Sequence, residues 1–434
     1  MRIAIVTQPW AGIGEGGAIG LLTCRLAQTF GKTEEVYIYG RNGRCESTDG
    51  SIHSVHLPIR YERIFDKILK TLNRKLHLWK NDKPYFIQPY YYFWYALRLA
   101  IDLRKKQCDV VHIHMLSQFI PVIKFVNPQI KIVLHNHLEW LGYLDRKVLS
   151  KRLKKTDLIL ECSSHNRNIA IGAHPEIGHK CRICFNGVDL KRFQPPDGTT
   201  RQRSSDIVFV GRISPEKGVH ILIEAFNRIA DMEPAANLIL IGPENPLAFE
   251  QLVNLSQEIR IQELARFYNG IPYTEAVRNM IRPELKQRVK FAGFIPNSEL
   301  PSYYGQAGIF VNSSLIEAFP LPLVEAMGSG LPVIAPRVGG IPEVVEDGTS
   351  GLLFEPGSVD ELSQKIAALL ADPEHRTEIA EKGRIRAAEL FSWEKIASEL
   401  LNDYKRLLGR SNRRDRRSIF RKKGYKQDKQ FVPN

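Results

Sequence analysis

The chain has 434 residues, 43% of them hydrophobic and 25% charged, with a formal net charge of +14 at pH 7. That length exceeds one compact core and predicts two domains of ordinary size, with apolar content sufficient for both. Met1 and Arg2 run directly into the first apolar run, leaving no secretory apolar region, and no uninterrupted apolar segment is long enough to span a bilayer. The expectation is a cytoplasmic protein, open to peripheral attachment on the inner face of a membrane.

In chain order, RIAIV reads as a buried strand, followed by a glycine-rich loop and an amphipathic helix with Leu21, Leu22, Leu26 and Phe30 in periodic positions. Gly12, Gly14 and Gly17 spell G-x-G-x-x-G, the pattern of a dinucleotide site. Here, however, Pro9, Trp10 and Ala11 lengthen the loop, and EEVYIYGR does not end in the acid that would hold a ribose. Residues 60–83 are basic and carry Ile64, Ile68, Leu72, Leu76 and Trp79 at helical spacing, beside the aromatic run PYFIQPYYYFWYALRLA. Two readings compete for this region: a surface that docks on anionic lipid, and a helix packed on the first domain with its charges solvated. DVVHIH and KIVLHNHLEW bring His112, His114, His135 and His137 to strand ends, where ligands bind in an open parallel sheet. Half-buried polar histidines are expected there rather than a metal centre, since no carboxylate accompanies them as a ligand set.

Six cysteines are scattered except for Cys181 and Cys184, whose C-x-x-C lacks a second ligand pair and reads as structural thiols. FNGVDLKRFQPPDGTTRQRSSD, rich in Pro, Gly and polar residues, reads as the hinge. Beyond it, Arg212 and Lys217 lie between strand-like DIVFVG and helix-like VHILIEAFNRI. Cations at a helix N-terminus oppose the macrodipole unless an anion is present, so an anion such as a diphosphate is expected there. The recurring runs RIAIV, EVYIY, DVVHIH, KIVLH, DIVFVG, NLILIG, VKFAG and GIFVN, spaced by helical segments, predict α/β domains with parallel sheets covered on both faces.

Residues 309–354 are the most informative. Pro320 and Pro322 place a helix start near Pro322, with Glu325 in its first turns and Glu317 on the preceding loop. Free N–H groups at such a start attract phosphate, and a nearby carboxylate can accept from two adjacent ribose hydroxyls. Two glutamates also suit glycoside hydrolysis. Gly328, Gly330, Gly339 and Gly340 favour close backbone approach to a bulky anionic ligand instead. The last helix-like run, WEKIASELLNDYKRLLG, precedes a tail, Arg410 to Asn434, that carries ten Lys and Arg against two Asp and is too polar to fold alone. No base-reading module accompanies these cations, so no specific nucleic acid partner is expected.

The two glutamates with seven residues between them, VFVGRISPEKGVHILIEAF, VKFAGFIPNSELPSYYGQAGIFVNSS, EAMGSGLPVIA, GGIPEVVEDGTSGLLF and the FNGVD hinge, in that family's order, resemble the retaining family-4 glycosyltransferases. The resemblance implies a GT-B architecture: an acceptor-binding domain over 1–185, a nucleotide-sugar domain over 186–392, a helix over 393–409 crossing back to the first domain, and the basic tail over 410–434. It implies that Glu317 meets donor sugar hydroxyls, Glu325 the ribose, Arg212 and Lys217 the diphosphate, and His137, in preference to His135, the sugar. Gly16 and Gly17 would approach the donor across the cleft, with Phe319 and Leu321 beside it. Glu139 lies near His137 and could hold its imidazole or meet the acceptor. The implied activity is transfer from a UDP-sugar or GDP-sugar to a hydroxyl of a saccharide or lipid-linked acceptor, without a cofactor. A nucleotide-sugar epimerase on the same architecture is the alternative. No D-x-D pair occurs in the sequence, so metal-independent transfer is expected.

Overall fold

The computed structural model describes residues 1–14, 18–46, 50–76, 88, 90–195, 204–256 and 258–410. Gly16, Gly17, residues 77–83 of the basic 60–83 stretch and the tail beyond Arg410 lie outside them.

Two parallel sheets organise the chain. The first has seven strands in the order β3 (Ile52–His56), β2 (Glu35–Gly40), β1 (Arg2–Val6), β4 (Val110–His114), β5 (Lys131–Asn136), β6 (Leu158–Glu161), β7 (Cys181–Ile183). The second has six, ordered β10 (Val289–Gly293), β9 (Leu238–Ile241), β8 (Ile207–Val210), β11 (Ile309–Val311), β12 (Val333–Pro336), β13 (Leu352–Phe354). Helices cover both faces of each, which is why the strands are apolar throughout rather than alternating; every residue of β4 is buried. Strand order reverses between β1 and β4 in one sheet and between β8 and β11 in the other. The crevice beyond the carboxyl ends at such a reversal is where open α/β sheets bind ligands. The loops that leave β1, β5, β8 and β11 carry Trp10, His137, Arg212 with Lys217, and Glu317 in turn.

The chain ends on the first domain. The helix Trp393–Leu407 buries Trp393, Ile396, Ala397, Leu400 and Tyr404 in one cluster with Leu22, Leu26 and Phe30 of the helix Ala18–Phe30 and with Val110 and Val133 beneath. The ring of Tyr404 meets Phe30 edge-on at 5.7 Å, and its hydroxyl bonds the His112 imidazole. Gly187 is required below Trp393, since a Cβ there would stand 2.4 Å from the indole. The segment 261–288, whose role the sequence leaves open, forms short helical turns that bury Ile261, Leu264, Tyr273, Val277, Ile281 and Leu285 against the β8 side of the second core.

Cys24 and Cys45 form a disulfide joining the Ala18–Phe30 helix to the loop after β2, a pairing invisible in the cysteine spacing. Cys181 and Cys184 are buried free thiols, as are Cys108 and Cys162.

Tyr404→Ala removes a fully buried ring at the seam between the last helix and the first domain. It is expected to lower stability by about 3–5 kcal/mol, read by urea denaturation; an unchanged midpoint would contradict this packing role.

Candidate functional site

Glu317 and Lys217 come from different strands of the second sheet and meet in one ion pair. Lys217 ends the short turn Pro215–Lys217 after β8, and Gly218 follows with φ 63°. A Cβ at Gly218 would lie 2.0 Å from the Ser313 carbonyl oxygen, so only glycine lets this loop touch the one after β11. The Ser313 hydroxyl then donates to the Lys217 carbonyl at 2.9 Å. With the loops laced, the Lys217 ammonium donates to Glu317 Oε2 at 2.7 Å, and the Ser314 hydroxyl donates to the same oxygen at 3.2 Å. The Glu317 backbone is held from the other side: its carbonyl accepts from Gly340 N–H at 3.0 Å, and a Cβ on Gly339, φ 56°, would stand 1.8 Å from that oxygen.

Arg212 is fixed beside this pair. Its guanidinium donates to Glu216 Oε1 at 3.2 Å, and the buried Ser214 hydroxyl donates to the same oxygen at 2.6 Å. The Arg212 side chain remains 36% exposed. Two cations thus stand at the start of the helix Val219–Ile229, where the free N–H groups add positive potential and the arrangement is completed by an anion.

Glu325 occupies a different environment. The helix Leu321–Gly328 starts beyond Pro320, as the two prolines require, and turns Glu325 inward. Its carboxylate accepts from Asn297 Nδ2 at 2.9 Å and from the Tyr304 hydroxyl at 3.3 Å. Burial pushes its pKa up to about 7, against the lowering effect of those two donors and of nearby Arg192. The Phe319 ring is buried between Phe185 and Phe391, so towards a ligand it can offer main chain only. Leu321 is partly buried at the start of the helix.

The four histidines share one face of the first sheet because β4 and β5 pair in parallel register with His114 opposite His135. They form two contacts: His112 Nε2 lies 3.1 Å from His135 Nδ1, and His114 Nδ1 lies 2.8 Å from His137 Nε2. Burial drives His112, His114 and His135 well below the usual histidine range and His137 to about 4. Neutral rings can therefore pair with one another. Ring nitrogens of His112, His114 and His135 lie within 4.8 Å of one another. Ligand nitrogens on a tetrahedral zinc lie only about 3.3 Å apart, from a metal–nitrogen bond of about 2 Å. Both nitrogens of His112 are hydrogen-bonded, to Tyr404 and to His135, whereas His114 Nε2 and His135 Nε2 are buried without a protein partner among the described residues. His135 is on the strand and buried, whereas His137 stands just past it and is partly exposed. Glu139 does not hold His137: its carboxylate accepts from the Tyr143 hydroxyl at 2.8 Å and pairs with His165 Nε2 at 3.0 Å.

The structure thus brings Lys217 and Glu317 into contact with Arg212 alongside, and gives Glu325 its own buried setting. Ser314, Glu216 and Asn297 escaped the sequence reading. Glu216 lies inside the quoted RISPEKG run, where its spacing of four from Arg212 is a usable signal; Asn297 reaches Glu325 only through the fold.

Residues 191–386 match the family model for glycosyl transferases group 1, and residues 49–192 that for glycosyltransferase family 4. Spore coat protein SA of Bacillus subtilis is 26% identical over 72% of this chain and 82% of its own length. The MMP alpha-(1->4)-mannosyltransferase of Mycolicibacterium hassiacum is 29% identical over 62% of this chain and 59% of its own. Among solved structures, a sucrose-phosphate synthase from Thermosynechococcus elongatus superposes with TM-score 0.68 at 22% identity, covering 94% of this chain and 100% of that one. Anabaena HepE in complex with UDP-glucose gives TM-score 0.63 at 20% identity over 94% and 100%.

Were Glu325 the ligand of a nucleotide ribose, as the resemblance implies, the donated hydrogen bonds would favour the ionised carboxylate and binding would withdraw its proton. Affinity for UDP-glucose should rise from pH 6 to pH 8, with a limit of about tenfold per unit below the pKa, and Glu325→Gln should flatten the dependence. Calorimetric titration across that range reads it; a wild-type affinity flat in pH would contradict the assignment.

Proposed function

The chain belongs to the group 1, family-4 glycosyltransferases, and from that premise we propose a metal-independent transferase that moves a hexosyl unit, with retention at the anomeric carbon, from a UDP-sugar or GDP-sugar to a hydroxyl of a saccharide or glycolipid acceptor. The observation that carries this reading is the Lys217–Glu317 contact at 2.7 Å, with Arg212 beside it and a helix start behind it. An incoming diphosphate competes for Lys217 and, with Arg212, replaces one anion by another at the same place. Glu317, released from the ammonium, accepts hydrogen bonds from the sugar. As the bond between anomeric carbon and phosphate oxygen breaks, charge develops on the diphosphate where these cations and the helix amides already stand. Lys217 and Arg212 thus perform the charge neutralisation that a divalent ion supplies elsewhere. His137, neutral at physiological pH, orients the sugar rather than acting as a cation. In this reading residues 1–185 hold the acceptor and 186–392 the donor, with Gly16 and Gly17 approaching the donor from the first domain.

An anionic membrane surface belongs to the same reading. On the helix Arg60–Leu76, Tyr61, Ile64, Ile68 and Leu72 form one exposed stripe, joined by exposed Trp94, which touches Phe65. The helix sequence carries six Lys and Arg against two acids, the composition of an interfacial helix. No helix among the described residues is long and apolar enough to cross a membrane. Ile64→Asp with Ile68→Asp should abolish flotation with phosphatidylglycerol vesicles while leaving UDP-glucose binding intact; undiminished flotation would remove this helix as the contact, and a wild type that does not float would remove the membrane from the account.

Glu317→Ala and Lys217→Ala should each lower sugar transfer by about 10²-fold, with Glu317→Ala changing UDP affinity far less than Glu325→Ala does. Transfer should persist in excess chelator. Loss restored by manganese, or product from donor alone, would overturn the proposal.

A further inference from the structure

The loop that holds the Glu317 backbone also reaches into the other domain. Glu343 follows Gly339 and Gly340 on this loop, and its carboxylate accepts from two backbone N–H groups of the first domain: Ser164 at 2.8 Å on Oε2 and His165 at 3.1 Å on Oε1. These are the first two residues of the helix Ser164–Ala173, whose Ser163 side chain accepts from Asn166 N–H at 3.2 Å. Three of the four unsatisfied donors at that helix start are thereby filled, two of them by a residue more than 170 positions away. The contact also sets an anion at the positive end of the helix. Gly340 makes the approach possible, since a Cβ there would meet Ser163 Cβ at 2.9 Å and the Ala318 carbonyl oxygen at 2.4 Å. From behind, the Arg386 guanidinium donates to the carbonyls of Glu343 at 3.0 Å and Val344 at 2.7 Å, so the loop does not swing freely.

On the far side, the clamped helix carries His165, whose ring pairs with Glu139 at 3.0 Å. Glu139, two residues beyond His137, accepts from Tyr143 as well. One continuous set of contacts thus runs from the Lys217–Glu317 pair, through Gly340 and Glu343, across to Ser164, His165 and Glu139. We propose that Glu343 is a positioning residue for sugar transfer: by gripping the start of the Ser164–Ala173 helix, it sets the placement of the first domain's His137–Glu139 loop against the donor-side Lys217 and Glu317. It touches neither substrate. The proposal rests on the transfer reading above.

The test is Glu343→Ala in the full chain, compared with Glu343→Gln and with Glu389→Ala as a control at an exposed position of the helix Pro373–Phe391. Loss of the grip should lower kcat about tenfold, the size of losing a strong helix cap, while UDP affinity stays near wild type because the proposed ligands of the nucleotide and diphosphate, Glu325, Arg212 and Lys217, all lie in the rear domain. Glu343→Gln keeps one acceptor oxygen and should recover part of kcat; Glu389→Ala should change nothing. Small-angle scattering should show a larger radius of gyration for Glu343→Ala than for wild type, reduced again by UDP-glucose. An unaltered kcat and radius of gyration in folded Glu343→Ala would overturn the proposal, as would a UDP affinity loss matching the kcat loss, which would mean that the loop serves only the donor site. If the wild type transfers sugar to no acceptor, the functional reading fails, and the scattering comparison still decides whether Glu343 holds the domains.

Discussion

A carboxylate and an ammonium from separate loops, Glu317 and Lys217, are kept in contact, and the backbone around them in the second domain is arranged to hold them there. The loops after β8 and β11 approach so closely that Gly218 admits no side chain, and the loop at Gly339 presses on the Glu317 carbonyl in the same way. Backbone contact of this kind fixes the main chain that carries Glu317 and Lys217 and leaves only their side chains to part. Preorganisation is what an anion-binding site needs, because cations already in place cost no reorganisation when charge develops on a leaving group. In the proposed reading the ion pair is a resting state: each partner satisfies the other until a ligand with more negative charge and several hydroxyls replaces both contacts.

The two carboxylates illustrate how environment divides labour between like groups. Glu317 is paired with a cation and opens to the cleft, whereas Glu325 is buried with two neutral donors and has its pKa pushed up to about 7. The first is suited to a sugar hydroxyl close to the reacting bond. The second is suited to a ribose, whose paired hydroxyls can replace the water that burial has removed. A similar division separates the histidines, three of them polar members of the first core and His137 alone at the strand end.

Much of this was legible in the sequence, for a physical reason. Parallel strands covered on both faces are apolar runs, and the spacing of Arg212, Lys217, Glu317 and Glu325 survives in linear sequence because each pair lies within one strand–loop–helix unit. Family membership follows from the same runs. What could not be read depends on register and packing. The histidine pairs exist because His114 faces His135 across two strands, the disulfide because the Ala18–Phe30 helix returns over the loop after β2, and the Glu139–His165 contact because a short loop folds back on the next helix start. Residues 261–288 carried no motif since their work is apolar: they complete the core on the side where Arg212 and Glu216 stand. Glu343 sits in plain view within GGIPEVV, yet its partners are backbone groups of another domain, which no side-chain pattern announces.

The central claim is that Lys217 and Glu317 exchange each other for the two halves of one activated sugar. A crystal structure of the protein with UDP-glucose tests it most directly. The account predicts that the 2.7 Å contact opens, with the Lys217 ammonium on the diphosphate and the Glu317 carboxylate on hexose hydroxyls. A donor bound elsewhere, with the ion pair intact, would contradict it.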